Sequence, residues 1–176
     1  KKIKDISNIK LLDIVKYILE NKNTPNCLFR IATLYENSKI LTHDYEKAIH
    51  YYTLAADLNH AKAQHALGVI YHEGKYVPRD IKKAIHYLAL SADQNNVLSQ
   101  SFLGSIYNDG IYVQRDITKA IHYYTLAAEQ KHASSLFFLA LIYLSIDINK
   151  AVQYLTLASD QNHAISQNYL GILYEL

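Results

Sequence analysis

The chain has 176 residues, half of them apolar and 19% charged, which is typical of a soluble folded protein. Its formal net charge of +2 is too small to indicate a nucleic-acid partner, and no apolar run reaches the roughly 18 residues of a membrane helix. The single cysteine, Cys27, excludes an internal disulfide framework and a cysteine-based zinc cluster, and it favours a reducing, cytoplasmic location.

The first predicted element is a helix at residues 6–21, where apolar side chains recur at helical spacing. These side chains are Ile6, Ile9, Leu12, Val15 and Leu19. The end units of repeat arrays need a cap over their apolar face. We therefore interpret residues 1–23 as an N-terminal capping helix.

The sequence that follows repeats itself. Ala48-Ile49-His50-Tyr51 returns after 36 residues as Ala84-Ile85-His86-Tyr87 and again at residues 120–123, and a variant returns at 151–154 after only 31. In each unit the apolar spacing predicts two helices, called A and B here, which in the second unit cover about His60–Glu73 and Ile81–Asp93. The predicted units are repeat one (24–59), repeat two (60–95), repeat three (96–131), a shortened repeat four (132–162) and a half repeat with an A helix only (163–176).

The ends of these helices carry the residues that helix ends prefer. Gly74 suits the left-handed position that ends an A helix, and Asp80 suits the N-cap of the B helix that follows. Asp44, Asp116 and Asp147 hold the N-cap position in the other units. In the first unit, Thr24 followed by Pro25 predicts the start of the A helix.

One long motif runs through the second unit and is repeated in the others. It consists of Ala63, Leu67, Gly68, Tyr71, Gly74, Val77, Asp80, Lys83, Ala84, Tyr87, Ser91 and Ala92. This motif resembles the Sel-1-like repeat, a relative of the tetratricopeptide repeat, over residues 24–176. The resemblance implies an all-α, right-handed α-α superhelical solenoid of about four and a half helix pairs. Repeat four departs from the motif because five residues are deleted between Tyr143 and Asp147.

Positions that stay constant between units are predicted to serve packing. The tyrosine that ends each A helix is invariant, at Tyr35, Tyr71, Tyr107, Tyr143 and Tyr174. Glycine inside a helix costs about 1 kcal/mol relative to alanine. Its return at Gly68, Gly104 and Gly171 therefore predicts that another helix approaches too closely for a methyl group.

Positions that vary between units are candidates for recognition. They share one face of the A helices because their spacing is three, four and three residues. We define this face as the A-helix stripe; its candidate binding residues are Lys62, His65, Val69, His72, Ser101, Ser105, Asn108, Phe137, Leu141, Leu144, Asn168 and Ile172. Phe137, Leu141, Leu144 and Ile172 form its apolar part, which suits an amphipathic helix or an extended peptide. The alternative is that neighbouring side chains or a further B helix bury this part.

The nine histidines do not indicate a metal site. Six of them fall at two repeat positions: His50, His86 and His122 on the B helices, and His60, His132 and His163 at the starts of A helices. Equivalent positions in stacked helix pairs lie about 10 Å apart, too far to share a zinc ion. We expect half-exposed rings packed between helices. No metal or cofactor is expected, and no phosphate-binding loop or nucleophile motif points to an enzyme.

The function that this pattern favours is a non-catalytic scaffold or adaptor, because the resemblance implies a protein or peptide ligand on the concave face. One alternative is a regulatory or docking arm of a larger multidomain enzyme such as a protein kinase. Another is a self-associating module that forms a homo-oligomer. Since the sequence contains no methionine, we interpret it as a piece of a longer protein.

Overall fold

The structure is a computed structural model that describes residues 23–37 and 44–175. The predicted capping helix at residues 6–21 lies outside the described residues. Within them the chain forms nine α-helices and no strand: α1 (Pro25–Asn37), α2 (Tyr45–Asp57), α3 (Ala61–Glu73), α4 (Ile81–Asp93), α5 (Val97–Asp109), α6 (Ile117–Glu129), α7 (Ala133–Tyr143), α8 (Ile148–Ser159) and α9 (Ala164–Glu175). The predicted alternation of A and B helices is confirmed.

The helices belong to two compact units, which divide inside α4, between Tyr87 and Leu88. In the first unit, α1 packs on α2 and α2 packs on α3. In the second unit, each helix from α5 to α9 packs on the next one along the chain. This packing of consecutive helices is the all-α repeat architecture that the sequence predicts.

Small residues let the helices approach closely in both units. In the first unit, Ala32, Ala55 and Ala63 are completely buried beside Tyr52 and Leu67. In the second unit, Ala120, Ala127, Ala140, Ala151 and Ala158 are completely buried as well. Burial of apolar side chains against these alanines supplies the main stabilisation of each helix pair.

The four aspartates cap the B helices as predicted. Asp44, Asp80, Asp116 and Asp147 each accept a hydrogen bond from the backbone N–H three residues later, at 3.0, 3.0, 2.9 and 3.1 Å. This backbone hydrogen bond is the main reason why the pKa values of Asp44 and Asp116 lie below their usual range. Each of the four caps contributes about 1 kcal/mol.

The same aspartates close the loop between the A and B helices. Their backbone N–H groups donate to the carbonyl oxygens of Tyr35, Tyr71, Tyr107 and Tyr143, at 3.1, 3.0, 2.9 and 2.8 Å. In the first three repeats the two bonded residues are nine positions apart, whereas in repeat four they are four apart. The five-residue deletion therefore leaves this closure intact.

The invariant tyrosines pack on the B helices. Tyr35, Tyr71 and Tyr107 stack on Tyr51, Tyr87 and Tyr123, with ring centroids 5.8, 5.9 and 5.9 Å apart. A lysine lies over each of these rings, with Lys47, Lys83 and Lys119 at 5.4, 5.1 and 4.9 Å from the ring centroids. In repeat four Lys150 also lies over the ring of Tyr143, and its ammonium group donates to the tyrosine hydroxyl at 3.1 Å. These contacts confirm the predicted packing role for four of the five tyrosines, whereas Tyr174 is 76% exposed and does not meet the prediction.

Four of the five glycines occupy three kinds of environment. Gly74 and Gly110 adopt φ angles of 68° and 65°, the left-handed conformation predicted for the ends of A helices. A methyl group on Gly104 would come within 2.6 Å of the ring of Tyr124, which confirms the predicted close approach. At Gly171 the prediction is wrong, because nothing described lies within 4 Å of an added methyl group.

Candidate protein-binding surface

The first unit contributes four residues of the A-helix stripe, all on α3. Lys62 is exposed, and His65, Val69 and His72 are half-buried. Burial lowers the pKa of both histidines, and the positive charge of Arg79 lowers that of His72 further. Both rings therefore favour the neutral form near pH 7.

In the second unit α5 contributes three small polar residues, which are all half-buried. The hydroxyl of Ser105 donates to the carbonyl oxygen of Phe102 at 2.9 Å. Ser101 accepts a hydrogen bond from the hydroxyl of Ser135 on α7 at 3.0 Å. The side-chain amide of Asn108 donates to Asp109 at 3.2 Å. This part of the stripe is polar, and one of its three hydrogen bonds joins α5 to α7.

The rest of the stripe, on α7, α9 and the residue that follows α7, is only partly a surface. Leu141 and Leu144 are half-buried, while Asn168 and Ile172 are exposed. Phe137 differs, since it is only 9% exposed and belongs to a core cluster with Ala140, Leu155 and Leu170. Its ring also packs on the rings of His163 and Tyr169, with centroids 5.4 Å away in both cases. Burial by neighbouring side chains, the alternative kept open for the apolar patch, thus applies to Phe137.

The histidines at the starts of A helices serve a function that sequence reasoning missed. Nδ1 of His60, His132 and His163 accepts the backbone N–H three residues later, at 3.2, 3.3 and 3.4 Å. Asn96 caps α5 in the same way, at 3.1 Å. Because a backbone N–H donates, each capping ring must be unprotonated at Nδ1. Burial lowers the pKa of His60 and His132 accordingly.

The position of Asn96 was the signal that could have identified these caps. Asparagine is a preferred N-cap residue, and in repeat three it stands where repeats two and four and the half repeat have histidine. The histidines of the other group, His50, His86 and His122, are exposed on the B helices. The expectation of half-exposed rings packed between helices is therefore wrong for the second group and incomplete for the first.

Two further features were not predicted. The first is the buried tyrosine on the B helices of repeats one and three. Tyr52 donates to a carboxylate oxygen of Glu36 at 2.6 Å, whereas the hydroxyl of Tyr124 has no hydrogen-bond partner among the described residues. The second is a cavity of 390 Å³ beside the shortened loop of repeat four, lined in part by Asn108 and Leu141 of the stripe. The stripe therefore borders a cavity next to the deletion.

Within residues 23–37 and 44–175, no three histidine, cysteine or acidic side chains lie close enough to hold a metal ion. None of the helices in these same segments is long and apolar enough to cross a membrane.

Comparisons with known proteins agree with the repeat geometry. The family model described as the Sel1 repeat matches residues 25–60, 61–96, 97–132 and 133–163. The fold is similar to that of a Sel1 repeat protein from Oxalobacter formigenes, with a TM-score of 0.83 and 29% identity, over 91% of this chain and 68% of that one.

A second similar structure is a protective antigen of uropathogenic Escherichia coli that displays an SLR fold. Its TM-score is 0.80 at 22% identity, over 88% of this chain and 34% of that chain, so the present chain spans about a third of that protein's length. The comparison with curated proteins gave no match. Four consecutive family matches cover most of the sequence, and the chain belongs to the Sel1 repeat family.

Proposed function

We propose that this chain is a non-catalytic scaffold that binds a protein or peptide along the A-helix stripe. Sel1 repeats mediate protein–protein interaction, and this general role is the starting point. The observation that carries the proposal is the contrast between repeat positions that are constant and repeat positions that vary. The constant residues are engaged in helix caps, loop closures and tyrosine stacking, whereas the stripe differs from repeat to repeat and, except at Phe137, remains accessible.

The chemistry of the stripe in the second unit favours a ligand with both polar and apolar side chains. Hydroxyl groups of Ser101 and Ser105 lie on α5, and the half-buried Leu141 lies on α7. A ligand that completes the burial of an apolar side chain gains roughly 25 cal/mol per Å² of the area that it covers. The adjacent hydroxyl groups fix the register of a bound segment through hydrogen bonds.

The test uses the full chain as bait for a phage-displayed library of random peptides. Ser105→Arg places a long cation in the stripe, and Thr118→Arg places the same cation on the exposed side of α6 as a matched control. We expect selected peptides to bind Ser105→Arg at least about tenfold more weakly than the unchanged chain, and to bind Thr118→Arg equally well.

Circular dichroism melting curves establish that both variants are folded before binding is measured. Equal affinity of the selected peptides for both arginine variants would contradict the stripe as the binding surface. Failure to select any peptide above background would contradict the scaffold function of this chain.

Self-association is a second candidate function, and the exposed face of α9 favours it. Ile165, Ile172 and Tyr174 on this helix are 53%, 57% and 76% exposed. Apolar side chains of this size concentrate at interfaces between subunits. We propose that α9 takes part in a homo-oligomer, which predicts a mass that rises with concentration in analytical ultracentrifugation and falls to that of the monomer in Ile172→Asp. A constant monomer mass across the concentration range would exclude it.

A further inference from the structure

The shortened loop of repeat four differs from the longer loops in what it leaves uncovered. In repeats two and three, nine positions separate the bonded tyrosine and aspartate, and in repeat four the same hydrogen bond spans four. The five additional residues of the longer loops are therefore not required to connect an A helix to its B helix. In the longer loops, these residues are available for contacts with other helices.

Repeat two shows such a contact. Its loop residue Tyr76 stacks on Tyr45, the first residue of α2, with ring centroids 3.6 Å apart and planes inclined by 14°. The longer loop thus reaches back and covers the start of the preceding B helix with an aromatic ring. Ile117 holds the position of Tyr45 at the start of α6. The deletion removes from repeat four the residue that would cover Ile117 in the same way.

The cavity of 390 Å³ lies at this place. Ile117 lines it together with Phe138, Leu141 and Ile142 of α7 and with Ile146 of the shortened loop. Its volume falls within the range of binding pockets, about 300–1,000 Å³. Ile146 is 65% exposed at its rim, so a ligand side chain would bury additional apolar surface. A second cavity, of 500 Å³, shares Ile117 and Arg115 with the first, so the two cavities adjoin at these residues.

Among the described residues that line the first cavity, only Arg115 carries a formal charge. Its Nε donates to the carbonyl oxygen of Asn108 at 2.9 Å. Its counterpart in repeat two, Arg79, donates from Nη2 as well, to the carbonyl oxygen of Glu73 at 3.1 Å. Among the residues that the structure describes, no carboxylate lies within 4.0 Å of Arg115, and the neighbouring Asp116 is paired with Lys119 at 3.4 Å. The guanidinium group is therefore positioned to pair with an acidic ligand group.

We propose that this cavity binds an aromatic side chain of an extended peptide segment, with an adjacent acidic residue of that segment paired to Arg115. The partner's ring takes the place over Ile117 that Tyr76 takes over Tyr45. This inference rests on the proposed scaffold function and makes it more specific, because it assigns one side-chain pocket and the ligand chemistry that the pocket selects.

The experiment titrates the full chain with the tetrapeptide acetyl-Gly-Asp-Tyr-Gly-amide and follows backbone amide signals by NMR. We expect concentration-dependent shifts at Ile117, Leu141, Ile142 and Ile146. A peptide with serine in place of tyrosine should bind at least about tenfold more weakly, because it loses the buried ring. A peptide with lysine in place of aspartate should bind about two- to fivefold more weakly at low salt.

Two sets of variants of the chain complete the test. Ile146→Asp should weaken binding of the tetrapeptide about tenfold, and Leu157→Asp, at an exposed leucine of α8, should leave it unchanged. In a loop-restored variant, residues 144–146 are exchanged for the sequence of residues 72–79. It should lose binding and melt at a higher temperature than the same variant with serine in place of the inserted tyrosine.

Two outcomes would overturn the proposal. One is equal binding of the tyrosine and serine peptides, and the other is a shift pattern that lies away from the cavity. Selected phage peptides that are lost with Ser105→Arg but are unaffected by Ile146→Asp would refute the cavity and leave the stripe standing. A tetrapeptide that binds at the cavity while no selected phage peptide responds to Ser105→Arg would refute the stripe and leave the cavity standing.

Discussion

Repeats one and three carry the same B-helix segment in different surroundings. Residues 47–56 and 119–128 are identical in sequence, and both contain a buried tyrosine, Tyr52 or Tyr124. The hydroxyl of Tyr52 donates to Glu36, whereas Asn108 stands at the equivalent position in repeat three and Tyr124 has no hydrogen-bond partner among the described residues. The A helix, at its variable positions, therefore determines the environment of a constant B helix.

The difference extends to the backbone contact between the helices. Ala32 in repeat one is replaced by Gly104 in repeat three, where the ring of Tyr124 lies directly against the glycine. Repeat three thus combines a glycine against the tyrosine ring with a hydroxyl that has no partner among the described residues, and repeat one combines an alanine with a paired hydroxyl. We expect these local differences to change the free energy of unfolding of the protein.

The largest expected effect is on the glycine contact. Gly104→Ala should destabilise the protein by about 1–3 kcal/mol, because the added methyl group would lie 2.6 Å from Cδ1 of Tyr124. Gly171→Ala is the matched control at the same repeat position, where no described atom lies within 4 Å. It should stabilise α9 by up to about 1 kcal/mol through helix propensity. Urea unfolding followed by circular dichroism measures both, and changes of the same sign would contradict the account.

The next largest expected effect is a difference in stability between variants that lack one or the other buried tyrosine hydroxyl. Tyr52→Phe removes a hydrogen bond to a carboxylate and should cost about 1.5 kcal/mol. Tyr124→Phe should be neutral or slightly stabilising, because it removes a buried hydroxyl that has no partner in the described part of the chain. Burial raises the pKa of both hydroxyls, in line with their low exposure. The two free energies of unfolding should therefore differ by more than about 1 kcal/mol, and equal losses would refute the distinction.

A smaller effect depends on pH and comes from the histidine caps. Because burial lowers the folded-state pKa values of His60 and His132, the unfolded chain binds more protons than the folded chain just below about pH 6.5. Stability should therefore be complete above about pH 6.5 and should fall as the pH drops through the lower folded-state values. Loss of each cap on protonation costs about 1 kcal/mol.

Asparagine provides the control for this effect, since Asn96 fills the same position in repeat three without titrating. His60→Asn combined with His132→Asn should flatten the pH dependence of the free energy of unfolding between about pH 5 and 7. The pH dependence that remains in this variant should come from His65 and His72, because burial also lowers their pKa values. An unchanged pH profile in the double variant would refute the capping role.

The smallest expected effect concerns the turn from a B helix to the next A helix. Asn59, Asn95 and Asn162 occupy this turn with φ angles of 60°, 59° and 60°, and Lys131 occupies it in repeat three with 61°. Asparagine tolerates the left-handed conformation better than lysine does. Lys131→Asn should raise the free energy of unfolding by about 0.5 kcal/mol, and a loss of stability in calorimetric melting would contradict this.

The sequence was sufficient to predict features that repeat along the chain. The aspartate caps, the left-handed Gly74 and Gly110, and the close approach at Gly104 were all predicted from their recurrence. These features depend on a few neighbouring residues and on one periodic packing contact. Copies of a unit within one chain therefore carry enough information to assign them.

Features that depend on which side chain covers another were not predictable. Helical spacing placed Phe137 on the variable face, but Leu155 of α8 and Tyr169 of α9 bury it from other parts of the fold. The bond from Tyr52 to Glu36 joins helices through positions that vary between repeats. The histidine caps were missed because histidine is not a preferred N-cap residue, although Thr24 and Asn96 at the same repeat position indicated a cap.

The central claim is that the A-helix stripe and the shortened loop form the recognition surface. Its most direct test is hydrogen–deuterium exchange of the full chain with and without a saturating phage-selected peptide. We expect slower exchange at α5, α7 and residues 144–146, with little change at α8 and at the part of α6 that follows its first residue, Ile117. Protection confined to α6 and α8 would contradict it.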